Sequence, residues 1–457
     1  MPCLSNNLVS SVIDGEIEII QVTGNRDFAL LHIGCKTVWF NAVMAATMPG
    51  MKNTPSTWKT FSTAPHRMMM LGGAVQGVAA MLWWLADLLG RYGGLYPPPV
   101  WAVAPVWGHG FLMIYAFLPF FVFGFLMTTY PNWMNGEKIP ERLYVPAFIL
   151  LAGGVLLFYP GLATGKGLMM AALALLQTGW GIALYALLRV LVKAHHPDKL
   201  HPIITTIALT MGWLGMAGYL AWLATDNDWL LGFSRHAGIW WFLVPVLVTV
   251  CHRMIPFFSS RVLDHYVIVR PNWALYFMLA CSTVHGALEM ANQAQLLWLA
   301  DLPFMACAAY FSWTWGLLRS FKARLLAVLH IAFAWLSIAM LMYGVQSLEL
   351  FVTGTAPFGL APLHALTIGF FASMVLGMAS RVTLGHSGHE LVADNTTWAL
   401  FLGFQLATLA RIAPDLTGVP ATIFYPAAAV VWLASYGPWF AKYAPLYWRR
   451  RADGRPG

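Results

Sequence analysis

Runs of apolar residues long enough to cross a bilayer recur along this chain, and nothing constrains its fold more. A spanning helix needs about 20 such residues. Inside a bilayer the backbone N–H and C=O groups must be satisfied within the chain, as a helix satisfies them. Twelve runs are legible, at about 68–89, 107–130, 144–163, 167–190, 203–224, 236–256, 272–292, 294–317, 325–347, 358–379, 397–414 and 421–440. Only 10% of the 457 residues are charged, against about 25% in a soluble domain. The expectation is an all-α polytopic membrane protein, a twelve-transmembrane-helix bundle.

The loops set its orientation. One side would carry twenty Lys and Arg residues, among them Lys138, Arg142, Arg253, Arg261, Arg319 and Arg381. The opposite side would hold four, Arg91, Lys166, Arg235 and Arg411. Cytoplasmic loops are the basic ones, so both termini are expected to be cytoplasmic in a bacterial inner (cytoplasmic) membrane. The net charge of +8 follows from those loops. It suits an anionic lipid leaflet, and nucleic acid need not be invoked.

Three segments are expected: an N-terminal extension over 1–60, a membrane domain over 61–445, and a basic cytoplasmic tail over 446–457. The extension has β-like runs at Glu16–Val22 and Phe28–Ile33, and no basic stretch leading into an apolar signal core. It reads as a small appendage, or as sequence upstream of a true start at Met44, Met48 or Met51. The five cysteines form no CxxC pair, and no CxxCH motif offers covalent haem attachment. Pro119, Pro245 and Pro256 lie in or at the ends of spanning runs, which bundle packing tolerates.

Histidines are costly inside a bilayer unless paired or liganded. His109, His236, His285 and His364 lie on four different runs, at one depth near the outer face. His66, His252, His330 and His386 form a second set toward the cytoplasmic side, and are candidates for a second site. His236 and His252 are about 24 Å apart along one helix, so they cannot serve one metal. A lone histidine at a helix end usually bonds a carbonyl; four at one depth point instead to metal or haem, for which imidazole is a good ligand. Glu289, four residues after His285, shares its helical face and could orient it. His195, His196, His201, His265 and His389 sit in charged loops and read as solvated.

Several segments resemble those of the NnrS family, haem- and copper-containing membrane proteins linked to nitric oxide metabolism. They are Gly124-Phe125-Leu126-Met127-Thr128 followed by Pro131-Asn132-Trp133, Arg253-Met254-Ile255-Pro256-Phe257-Phe258-Ser259, Leu329-His330, and the run from His364 to Gly388. The last opens His-Ala-Leu-Thr-Ile-Gly, ends Ser-Arg-Val-Thr-Leu-Gly-His-Ser-Gly, and is the most specific. The resemblance covers about residues 61–445. Where the family often has His-x-His-Glu at the start of helix 2, only His109 remains, followed by Phe111 and Leu112.

A more distant resemblance is to the haem–copper oxidase and nitric oxide reductase superfamily, also twelve-helical. His109-Gly110 with Met113 looks like the start of its helix 2, and His236, Pro245 and His252 look like its helix 6. Carried over, His109 and His364 would be the axial pair of a b-type haem, Arg411 would meet a propionate, and His236 and His285 would resemble copper ligands. The active-haem histidine of helix 10 has no counterpart beside His364, and Trp240 stands where a tyrosine is usual. Oxygen reduction by that mechanism is therefore not expected.

The resemblances imply a haem- and copper-binding protein of nitric oxide metabolism, denitrification or nitrosative-stress tolerance. Its partners would be nitric oxide or a related small molecule, membrane lipid and an electron donor. If it is an enzyme, it would be an oxidoreductase acting on nitric oxide. Competing readings are a proton-coupled transporter, and a haem electron-transfer or assembly component without substrate chemistry.

Overall fold

The computed structural model describes residues 8–13, 16–22, 28–32 and 57–454, which fall into two units, Met1–Ser56 and Thr57–Gly457. In the first, β1 (Leu8–Ile13), β2 (Glu16–Val22) and β3 (Phe28–His32) pair antiparallel in the order β1-β2-β3, with Val9 opposite Ile20 and Ile20 opposite Leu30. Met44, Met48 and Met51 lie outside the described residues, as do Cys3 and Cys35.

The described part of the second unit is helical. Its long helices are α1 (Pro65–Arg91), α2 (Pro105–Met134), α3 (Glu141–Thr164), α4 (Lys166–Lys193), α5 (Leu200–Thr225), α6 (Asp228–Ser260), α7 (Asn272–Met290), α8 (Trp298–Thr314), α9 (Arg324–Thr353), α10 (Ala361–Ser387), α11 (Asn395–Thr417) and α12 (Ala421–Tyr443). Among the described residues nine of these, all but α7, α8 and α12, are long and apolar enough to cross a membrane. Of the twelve expected crossings, nine thus have a helix long and apolar enough to make them; α8, with 17 residues, sits at the short limit for a span.

Two boundaries differ from expectation. α6 begins at Asp228 rather than near 236, because Asn227 caps it by accepting the Trp229 N–H. His236 therefore lies two turns inside the helix. α10 runs on past 379 to Ser387, through a polar stretch in which Ser380 Oγ bonds the Leu376 carbonyl. The guanidinium of Arg381 there lies 3.9 Å from the Phe258 ring centre. A charged side chain that covers an aromatic face can stay on a packed helix.

α2, α6 and α10 form the middle of the bundle. Their most apolar stretches are 89%, 78% and 78% buried, against 39% for α3 and 28% for α11. Gly238 lets α6 approach α2: a Cβ there would lie 2.5 Å from Ile114 Cγ2 and 2.8 Å from the Tyr115 hydroxyl. The Tyr115 O–H crosses the same gap to donate to the Ser234 carbonyl (2.6 Å). The C-terminal segment is bound as well. Arg67 Nη1 donates to the carbonyls of Tyr447 (3.1 Å) and Arg449 (2.8 Å), and Arg451 Nη1 donates to that of His386 (3.1 Å).

Candidate functional site

A cavity of about 590 Å³ opens among the carboxyl ends of α1, α5, α7, α9 and α11 and the amino ends of α2, α6, α10 and α12. Its volume falls in the range of cofactor and small-molecule sites. His109, His236 and His364 line it, as do Glu289, Arg411 and Tyr343. Three of the four cations assigned to this end of the bundle, Arg91, Arg235 and Arg411, also line it.

The three cavity histidines share a backbone device that sequence reasoning missed. Each stands just before a π-helical segment: Leu112–Phe117 after His109, Ala237–Leu243 after His236, Ala365–Ala372 after His364. Each segment closes with a bond to the carbonyl five residues back, from Leu118 to Met113, Val244 to Ile239 and Ser373 to Ile368. In α2 and α6 the cause is the next residue, Pro119 or Pro245, whose ring crowds the carbonyl four back and widens the turn. α10 has no proline there. Ser373 takes its place, its hydroxyl donating to the Ile368 carbonyl (3.1 Å) and accepting from Gln405 Nε2 (2.9 Å). A wide turn rotates the amino-terminal part of a helix relative to the rest, and so re-aims its histidine.

His109 stacks on Trp84 (centroids 4.1 Å, planes 13° apart), and its Nδ1 has no hydrogen-bond partner among the described residues. His364 Nδ1–H donates to the Leu360 carbonyl (2.9 Å), which leaves Nε2 as the lone-pair nitrogen. Arg411 lies within α11, in its last two turns. One of its nitrogens meets Asp415 (3.1 Å) and its plane covers Tyr425 (4.0 Å), whose hydroxyl donates to the same carboxylate.

His285 is fully buried and does not line the cavity. Trp240 stacks on it at 3.4 Å and stands between it and the opening. Its Nδ1–H donates to Asp301 Oδ1 on α8 (2.7 Å). Nε2 has no hydrogen-bond partner among the described residues and lies 3.7 Å from Glu289 Oε1. An imidazole held by a carboxylate on one nitrogen, with the other free, is a common form of metal-binding histidine. Asp301 was missed by sequence reasoning. The signal was present: an ionisable residue in the middle of an apolar run is a functional hypothesis by default. Asp87 was missed too; it is fully buried and accepts hydrogen bonds from Trp101 Nε1 (2.9 Å) and Arg91 Nε (2.6 Å).

The second set of histidines does not come together as one group. His66 and His386 face each other (centroids 4.3 Å), and His66 Nδ1 has no partner among the described residues. His330 Nε2 bonds Ser259 Oγ (2.9 Å). His252 pairs with His201, which is buried on α5 rather than solvated in a loop. Their bonds run in one direction: Arg253 Nη1 donates to His201 Nδ1 (3.5 Å), His201 Nε2–H to His252 Nδ1 (3.1 Å), and His252 Nε2–H to the Pro271 carbonyl (3.3 Å). Every ring nitrogen of that pair is used, so it ties helices together. Among the described residues no three or more His, Cys, Asp or Glu side chains form a group that could hold a metal ion.

The family model described as NnrS protein matches residues 60–451. No curated protein matches the chain at significant similarity.

Proposed function

The chain belongs to the NnrS family, and from that membership we propose that it is a bacterial inner-membrane protein of nitric oxide metabolism or nitrosative-stress tolerance. It would cross the membrane twelve times, with both termini cytoplasmic and the histidine cavity toward the periplasm. The scarcity of basic residues at the cavity end supports that orientation.

The cavity would hold a b-type haem between His109 and His364. The observation that carries this reading is one cavity of cofactor size lined by both imidazoles, with His109 Nδ1 unpartnered and His364 Nε2 left as the lone pair by its own helix. When bound, haem supplies a redox-active iron that two imidazoles keep low-spin. The protein's share is to aim the two rings through the wide turns of α2 and α10. Arg411 would meet a propionate with the guanidinium edge left by Asp415. The donors fit this group.

Copper fits less completely. His285 Nε2 and His236 are the imidazoles proposed for it, with Glu289 beside them, and Asp301 would fix the His285 ring. A full set of protein ligands is not assembled, so an exogenous ligand would complete the coordination.

Asp301, His285 and Glu289 aligned toward a cavity would also suit a proton-coupled carrier, the second reading. The visible spectrum of the detergent-solubilised protein separates the two. The proposal expects a Soret band with about one haem or more per chain; a colourless preparation from haem-replete cells would overturn it.

A further inference from the structure

A second cavity lies on the same axis. It measures about 40 Å³ and is lined by α2 (Phe121, Val122, Phe125, Leu126), α6 (Val246, Leu247, Val250) and α10 (Met374, Val375, Met378, Ala379), with Met70 of α1 closing one side. These are the three helices that carry the cavity histidines. The void sits immediately beneath their wide turns, for Phe121, Val246 and Met374 follow the three π-helical segments by two to four residues. Tyr115 and Trp240 line the upper cavity, while Phe121 and Val246 line the lower. Six residues separate each pair, so the two cavities are stacked about 9 Å apart along α2 and α6.

Size and chemistry restrict what the lower cavity can hold. It exceeds the roughly 10–15 Å³ that one water needs, but a buried water also needs two to four polar partners. None of the twelve lining side chains carries a nitrogen or hydroxyl. Ser373, the residue before Met374, has its hydroxyl bonded to Ile368 and Gln405. Dry apolar voids remain unhydrated and take up xenon or small apolar molecules. A lipid chain or an organic cofactor is too large, since such sites start at about 300 Å³.

We propose that this cavity is a binding site for an apolar diatomic gas, held at the centre of the bundle directly below the histidine cavity. That the gas is nitric oxide rests on the family reading above; that the site takes an apolar gas does not. The turns that aim the histidines would form the partition between it and the histidine cavity.

Xenon is the probe. Crystals of the full-length protein under xenon should show one atom among Phe121, Val250 and Val375. Val250→Phe, which fills the void, should lower its occupancy at least tenfold. Val375→Ala, which enlarges it, should keep or raise it. Ordered water at this position would overturn the proposal, as would no xenon in both the parent and Val375→Ala, or undiminished xenon in Val250→Phe. The Soret band of the same preparations is read separately. Its absence would remove the haem reading and leave the xenon result standing.

Discussion

At the scale of single residues, Asp301 separates a structural histidine from a ligand. With its carboxylate on Nδ1, His285 presents a bare Nε2 and no choice of tautomer. Asp301→Asn keeps the shape but removes the charge, and an asparagine turned to donate through its amide would demand the opposite tautomer. Copper affinity should fall about 10–100-fold, the usual cost of losing an orienting carboxylate, while haem content stays unchanged. Metal analysis of the purified variant checks this, and full copper at limiting supply would return the pair to a packing role. His285 and Glu289 were legible in the sequence because they stand four apart on one helix. Asp301 was not, because its partner is on another helix and only the packing of α7 against α8 joins them. His201 shows the opposite error: a residue two places after Lys199 and next to Pro202 looks solvated, yet it lies in the first turn of α5 and turns inward to His252.

At the scale of elements, the apolar runs predicted where helices lie, and polar residues hid where they end. α6 starts eight residues before its expected 236, at Asp228, and α10 runs eight residues past its expected 379, to Ser387, so that His386 lies inside it. The wide turns were not legible, because one added residue in a turn is lost within a run that is apolar on every side; only Pro119 and Pro245 hinted at two of them. Helix caps test the same level. Asp394 caps α11 by accepting the Thr397 N–H (2.9 Å) and pairs with Lys442 on α12. The Lys442 ammonium first, and then the Thr397 N–H, hold its carboxyl down at about 2. Asp394→Ala should cost about 1 kcal/mol, as lost caps do, read as a lower melting temperature in detergent. A depressed carboxyl contributes its stability above its ordinary value, near 3.9, and loses it as pH falls toward 2. The gap between parent and variant should therefore be constant above pH 5 and close between about 4 and 2. A gap independent of pH would mean that the capping charge contributes nothing.

At the scale of the whole molecule, composition and loop charge already implied a helical membrane protein with one face poor in basic residues. They could not show that three of the four cations on that face line one cavity with three of the expected histidines, since convergence belongs to tertiary packing. The central claim is that His109 and His364 hold one haem there. Each reaches the cavity from its own helix, past its own wide turn, with a nitrogen free. The most direct measurement is the reduced-minus-oxidised spectrum of purified His109→Ala and His364→Ala beside the parent. Each single substitution should abolish the low-spin b-type signal, since one imidazole cannot keep the iron low-spin. Unchanged haem content and line shape in both variants would contradict the account.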